Sequence, residues 1–169
     1  MNKISVLLAA TALTLPLAAS AQASELPPRK AGLWEITTTI EKPQALPAMT
    51  TKMCLDRATD RELMEYGLKL SDDKCKTTTT RRDSKTLLIN VDCTSAGSPT
   101  KTKAVISGDF QSGYTMRLQG SSDEGEVLMT QAATWKGASC PGMKAGDISM
   151  FGGVKVNVKQ LKALSGLIR

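Results

Sequence analysis

Apolar and polar side chains alternate near the start of the chain, along the stretch Leu33-Trp34-Glu35-Ile36-Thr37-Thr38-Thr39-Ile40-Glu41. Trp34, Ile36 and Ile40 fall on one face, and acidic or threonine side chains occupy the other. A period of two is typical of a β-strand with one face in a hydrophobic core and the other in water. The stretch therefore predicts a half-buried strand.

The same alternation continues beyond this strand and is broken by short turns, so most of the remaining chain also reads as strand. About seven strands with no long helix between them predict a mainly β fold, built as a single antiparallel meander. A strongly curved sheet or a partly closed barrel would protect the edges of such a meander. After the first strand, further strands are predicted over 49–55, 75–82, 86–94, 101–110, 114–120 and 126–136.

Two helices are predicted as well. Thr59-Asp60-Arg61-Glu62 matches a capping box, which predicts a short helix near 60–66 that ends at Gly67. The glycine-rich stretch 141–153 is predicted to be a loop. From about residue 157, an apolar stripe predicts a C-terminal amphipathic helix, which either packs on the sheet or makes weak contact with an anionic membrane surface. The stripe consists of Val158, Leu161, Leu164 and Ile168.

Residues 1–23 have the pattern of a cleaved secretory signal peptide. Lys3 precedes an apolar run that ends in the cleavage signature Ala21-Gln22-Ala23. No cysteine directly follows the apolar run, so a lipoprotein anchor is not predicted. Residues 24–169 are therefore expected to form a single exported domain, located in the periplasm.

The composition excludes several classes of activity. The chain has 169 residues and no histidine, so a Ser/His/Asp or Cys/His nucleophile and a histidine metal ligand are ruled out. The net charge is +6, but the basic residues are scattered and the chain has only two each of Trp, Tyr and Phe. Because so few aromatic residues are available for base stacking, no nucleic-acid partner is predicted. No nucleotide or cofactor motif occurs, and no cofactor is predicted.

The four cysteines are expected to form two structural disulfides, because an even number of cysteines in an exported chain is most often paired. No two of them have the C-x-x-C spacing of a redox or zinc site, and no metal site is predicted. Three pairings are open to four cysteines. The favoured pairing joins Cys54 to Cys75, which would brace a local excursion of the chain, and Cys93 to Cys140, which would tie the central sheet to the end of the last strand.

Carboxylates are the remaining candidates for acid–base chemistry. The acidic turn Asp123-Glu124-Gly125-Glu126 raises the alternative of a carboxylate-dependent hydrolase acting on envelope glycans. The same turn could hold calcium loosely, although it lacks the spacing of a calcium loop. Aromatic residues that would stack on sugars are scarce, so no catalytic residue is predicted and the protein is expected not to be an enzyme.

The leading functional hypothesis is a non-enzymatic binding or envelope-associated module. Methionines lie on or beside the predicted strands, and soft side chains on a curved sheet suit an apolar ligand, although they also fill a core that is poor in aromatics. The partner would be an apolar small molecule or an envelope protein; a structural or inhibitory module is a further alternative. The predicted apolar ligand face consists of Trp34, Ile36, Met116, Met129 and Trp135.

The chain combines a K-x-G-x-W-E opening, Lys30-Ala31-Gly32-Leu33-Trp34-Glu35, with four spaced cysteines. In these features it resembles an uncharacterised family of exported proteobacterial domains of unknown function. The resemblance extends from about Pro27 to about Asn157. Ala31 stands where such proteins often have proline, and the tail helix extends beyond the pattern. The resemblance implies a periplasmic, compact β domain and transfers no activity, ligand or catalytic residue.

Overall fold

The computed structural model describes residues 27–69, 75–94, 99–123, 125–150 and 153–165. The predicted leader, residues 1–23, lies outside these ranges. Within the described residues, nine strands and two helices follow one another along the chain: β1 (Gly32–Lys42), β2 (Met49–Leu55), α1 (Arg57–Lys69), β3 (Cys75–Arg81), β4 (Thr86–Cys93), β5 (Thr100–Gly108), β6 (Gly113–Ser122), β7 (Gly125–Gly137), β8 (Asp147–Ser149), β9 (Lys155–Asn157) and α2 (Val158–Ser165).

The nine strands form one antiparallel sheet in the order β3-β4-β5-β6-β7-β1-β2-β8-β9, which does not close into a barrel. The predicted mainly β, antiparallel fold with two short helices is confirmed. The meander runs without interruption from β3 to β7. However, β1 pairs with β7 on one side and with β2 on the other, so the first strand lies inside the sheet rather than at its edge.

Two short strands lie where the sequence predicts a loop and the start of the tail helix. β8 and β9 are each three residues long, and Ile148 pairs with Met53 of β2 and with Val156 of β9. Three residues are too few to display a period of two, so an alternating pattern does not reveal them. The prediction of a loop over 141–153 is therefore wrong for 147–149, which form β8.

Helix α1 begins before the predicted capping box. Asp56 is the N-cap: its Oδ1 accepts from the backbone N–H of Thr59 at 2.7 Å, and the Thr59 hydroxyl accepts from the backbone N–H of Asp56 at 3.0 Å. Thr59 thus reciprocates the cap instead of forming it. The helix also continues past Gly67 to Lys69, because a single glycine inside a helix costs only about 1 kcal/mol.

The connection through α1 crosses the sheet. It leaves β2, near one edge, and leads to β3, which is the opposite edge. Leu63 of α1 packs against the cluster around Trp34, so the helix lies over the apolar side of the sheet. The last helix, α2, contacts α1 and β9, and Val158 at its start is buried. In the described part of the chain, no helix is long and apolar enough to span a membrane.

The disulfides are present, but their pairing differs from the favoured prediction. Cys54 is bonded to Cys140 and Cys75 to Cys93, with Cα–Cα distances of 5.8 and 4.0 Å. Cys75 and Cys93 are directly opposite each other on β3 and β4. Leu33 pairs with Cys54 on one side and with Gly137 on the other, so the end of β7 leads Cys140 towards Cys54. The strand order, not the sequence separation, determines the pairs.

Candidate functional site

One side of the sheet, here called the apolar face, carries all five residues of the predicted ligand face. Trp34 is opposite Trp135, and Ile36 is opposite Ala133, two residues before Trp135 on β7. Met129 belongs to the same alternating set on β7, and Met116 of β6 is opposite Gln131 of that set. The structure therefore brings these residues to one surface, while their role in binding stays a prediction.

At one end of the apolar face, the side chains are covered and form the hydrophobic core. Trp34 and Ile36 are buried together with Leu55 and Ala133, beneath Leu63 of α1. Two of the five predicted ligand residues are thus core residues, because α1 packs over them. A second core cluster on β4, β5 and the β5–β6 turn adjoins this one through Tyr114, and it consists of Leu87, Ile106 and Phe110.

The other end of the apolar face is open. Among the described residues, the large apolar side chains that are exposed have 38–58% of their surface accessible. Met49 and Val127 belong to the apolar face, since they are opposite Thr38 and Gly120. We call this set the apolar rim: Leu46, Met49, Val127, Met150 and Val154.

All five rim residues lie at the same end of the sheet. β1 is antiparallel to both β2 and β7, so the end of β1 meets the starts of those two strands, where Met49 and Val127 lie. Leu46 follows β1 and its backbone N–H donates to Ile40 O at 3.1 Å. Met150 and Val154 close the β8–β9 hairpin at this end, with Met150 N–H donating to Val154 O at 2.8 Å. Exposed apolar side chains concentrated at one end of a sheet mark a candidate interaction site.

A buried polar group lies at the covered end of the face. The Arg29 side chain is only 4% exposed, and its Nε is 2.7 Å from Asp60 Oδ1. The Arg29 backbone N–H donates to Asp60 Oδ2 at 3.0 Å, and Nη1 donates to the Tyr114 hydroxyl at 3.1 Å. We call these three residues the Arg29 cluster. In the described part of the chain, Arg29 Nη2 is buried without a hydrogen-bond partner.

The Arg29 cluster is not predicted from the sequence. Arg29 directly precedes the K-x-G-x-W-E opening, and Asp60 lies inside the segment interpreted as a capping box. Nothing in either local pattern distinguishes a buried arginine from an exposed one. The only available signal is that Asp60 lies in the first turn of a helix, where an acidic side chain is favourable.

The opening motif has a structural explanation. Trp34 Nε1 donates to Lys30 O at 2.7 Å, Trp135 Nε1 donates to Ala31 O at 3.0 Å, and Lys30 Nζ lies 3.8 Å from the centroid of the Trp135 ring. Gly32 has a φ of +126°, and a Cβ there would overlap the carbonyl oxygen of Gly137. The motif thus fixes the start of β1 against β7.

A model of the family described as "Protein of unknown function (DUF3617)" matches residues 29–140. The chain belongs to this family. The matched span begins at Arg29 and includes Asp60, Tyr114 and all four cysteines, whereas β8, β9 and α2 lie beyond it. No curated protein and no solved structure matches the chain. The resemblance to an uncharacterised family is confirmed, and the family supplies no activity or ligand.

The acidic turn of this DUF3617 domain is engaged in a surface ion pair. Lys42 Nζ is 2.7 Å from Glu126 Oε2, and both side chains are exposed. The hydrogen bond and charge of Lys42 hold the pKa of Glu126 below its usual range, and Glu126 raises the pKa of Lys42. Asp123 is exposed, and Glu124 lies outside the described residues. A general acid needs the opposite change, a raised carboxyl pKa.

A shallow polar depression of about 490 Å³ lies at the β9 edge of the DUF3617 chain. Asp147 accepts from Lys144 N–H at 2.8 Å and from Asn157 Nδ2 at 2.8 Å, and Lys155 Nζ donates to Gly142 O at 2.7 Å. These hydrogen bonds join β8, β9 and the segment before β8 to one another. Over the described ranges, no group of three or more cysteine, aspartate or glutamate side chains is placed to hold a metal ion.

Proposed function

We propose that this DUF3617 protein is an exported, non-enzymatic binding module that holds an apolar small molecule on the apolar face of its sheet. The observation that carries the proposal is the apolar rim: all the exposed large apolar side chains of the described residues lie at one end of the sheet, and two of them, Met49 and Val127, belong to the apolar face. Scattered exposed apolar residues need no explanation, whereas a concentration of them at one end of a sheet is typical of a binding surface.

The open half of the face suits a flexible, apolar ligand. Between the rim and the core, Ile40, Leu118 and Met129 are half-buried, so apolar surface continues from the rim inward. Each 100 Å² of such surface that a ligand covers contributes about 2.5 kcal/mol before the entropy cost of binding. Met129 and Met116 can adjust their rotamers to ligands of different shape, because methionine is unbranched.

Two features support export. Both cysteine pairs are bonded, and disulfides persist in oxidising compartments such as the bacterial periplasm. The signal-like pattern of residues 1–23 agrees with this location. The hydrolase alternative is not favoured, because Lys42 keeps Glu126 ionised instead of prepared to donate a proton.

The proposal is tested with protein purified from periplasm with its disulfides intact. Native mass spectrometry is expected to detect a co-purifying apolar molecule, and the uncharged fluorophore N-phenyl-1-naphthylamine is expected to bind. Val127→Glu should weaken fluorophore binding about tenfold or more, because it places a carboxylate against an apolar ligand. The matched control Ala132→Glu lies on the same strand but on the opposite face, and should change binding by less than about twofold.

Two results would contradict the proposal. One is equal fluorophore binding by Val127→Glu and the wild type. The other is repeated absence of any bound small molecule, together with a single protein cross-linked at the rim, which would favour a structural or inhibitory module.

A further inference from the structure

The Arg29 guanidinium has a donor that the protein does not use. Nε is taken by Asp60 and Nη1 by Tyr114, but Nη2 is buried and has no acceptor among the described residues. Buried polar groups in folded proteins are almost always paired, so an orphan on a side chain that is 96% covered requires an explanation. A bound ligand would supply the missing acceptor.

The unused donor belongs to a side chain that adjoins the covered end of the apolar face, because Arg29 Nη1 donates to the Tyr114 hydroxyl. The Tyr114 ring packs against Trp34, with centroids 5.8 Å apart, and stacks on Phe110 at 5.2 Å. Tyr114 and Met116 both pack against the second core cluster of the apolar face. The Arg29 cluster therefore marks the covered end of the face, and the apolar rim marks its open end.

We propose that Arg29 Nη2 binds the polar head of the ligand, and that the ligand is an uncharged, single-chain amphiphile whose head carries a hydrogen-bond acceptor. The chain would lie along the half-buried apolar side chains towards the rim. This inference rests on the proposed function and adds the chemical class of the ligand and a binding residue, Arg29.

The preference for an uncharged head follows from the charges around Nη2. Asp60 already balances the single charge of Arg29 at 2.7 Å, so the pair is electroneutral. A carboxylate head would add an uncompensated buried charge, whereas an ester carbonyl accepts the same hydrogen bond without one.

The test compares ligands that share one chain and differ in the head. Dodecane, methyl dodecanoate and dodecanoate compete with N-phenyl-1-naphthylamine for the full exported protein, at about pH 8, where dodecanoate is ionised. The ester is expected to bind about tenfold or more tightly than either other compound, since a hydrogen bond to a charged donor is among the stronger ones. This comparison uses the wild type alone, so it does not depend on any variant folding.

A double variant then assigns the preference to Arg29. Arg29→Met with Asp60→Leu removes the buried pair and all its donors, and should reduce the preference for the ester to less than about twofold. The control, Glu35→Leu with Lys136→Met, removes an ion pair on the opposite face and should keep the preference.

The outcomes separate this inference from the proposed function. If dodecane and the ester bind equally, the inference is overturned and the apolar site stands. If dodecanoate binds best, or if the Arg29 double variant retains the preference for the ester, the inference is also overturned. If none of the three compounds binds, the proposed function fails with it.

Discussion

Arg29 and Asp60 form an ion pair in which both side chains are 4% exposed, 31 residues apart in sequence. The pair ties the segment before β1 to the first turn of α1. A buried charge is stable only while its partner remains, because desolvation of a lone ion is expensive. The pair thus fixes where α1 lies on the sheet, although neither residue shows this role in the sequence.

Removing one partner of this pair should be far worse than removing both. Asp60→Ala is expected to lower the free energy of unfolding by about 3–5 kcal/mol, since it leaves the Arg29 charge unpaired. Arg29→Met with Asp60→Leu should recover most of that loss, because apolar residues of similar volume replace the pair. Urea unfolding measures both. Equal losses for the single and double variants would show that the pair is not the source of the effect.

Asp109, in the turn between β5 and β6, makes the stability of the folded protein depend on pH. Its carboxylate accepts from the Ser112 hydroxyl at 2.6 Å and from the backbone N–H groups of Ser112 at 2.7 Å and Gln111 at 2.8 Å. The Ser112 hydroxyl, followed by these backbone donors, holds the pKa of Asp109 well below its usual range. Ionised Asp109 therefore favours the folded chain.

The contribution of Asp109 should be complete above its unfolded-state pKa of about 4 and should disappear as the pH falls through the lower folded-state pKa. Asp109→Asn is expected to lower the melting temperature near neutral pH, and its difference from the wild type should shrink in strong acid. Melting curves over this pH range measure both effects. Exposed Asp123→Asn is the control, and an Asp109→Asn difference that is constant with pH would contradict the assignment.

At the scale of elements, long alternating segments were predictable and short or capped ones were not. The predicted strand over 49–55 matches β2 residue for residue, and 126–136 lies within β7. β8 and β9 were not predicted because three residues are too few to show a period, and in β8 only Ile148, between Asp147 and Ser149, is apolar. Helix α1 begins at Arg57 because Asp56, not Thr59, is the N-cap. Each of these two side chains accepts a hydrogen bond from the other residue's backbone N–H, so the local sequence does not show which of them is the cap.

The two disulfides join elements across different lengths of chain, and their contributions should differ accordingly. In the chain-entropy model, the bond Cys54–Cys140, with a separation of 86 residues, contributes about 4.5 kcal/mol and Cys75–Cys93, with a separation of 18, about 3 kcal/mol. Replacing Cys54 and Cys140 by serine should therefore lower the unfolding free energy more than replacing Cys75 and Cys93.

Chemical denaturation of the two double variants measures the difference, and non-reducing peptide mapping checks the pairing. Peptides that link Cys54 to Cys75 would contradict the strand order itself.

At the scale of the whole molecule, the apolar face was predictable, but its division into a buried core and an exposed end was not. Alternation alone placed Trp34, Ile36, Met116, Met129 and Trp135 on one side. Which of them are core depends on α1, whose path across the face follows from the strand order and not from any local pattern. For the same reason, the Arg29 cluster required the folded chain to bring three separate segments together.

The position of β1 inside the sheet also has a kinetic consequence. Its partner β7 lies roughly a hundred residues later in the chain, so β1 cannot complete its pairing until nearly all of the sheet has been synthesised. Folds dominated by such distant pairings form slowly. In the export that we propose, slow folding would keep the chain in an unfolded form that can pass through a narrow protein-conducting channel. The Cys54–Cys140 bond would then form only after β7 has paired with β1.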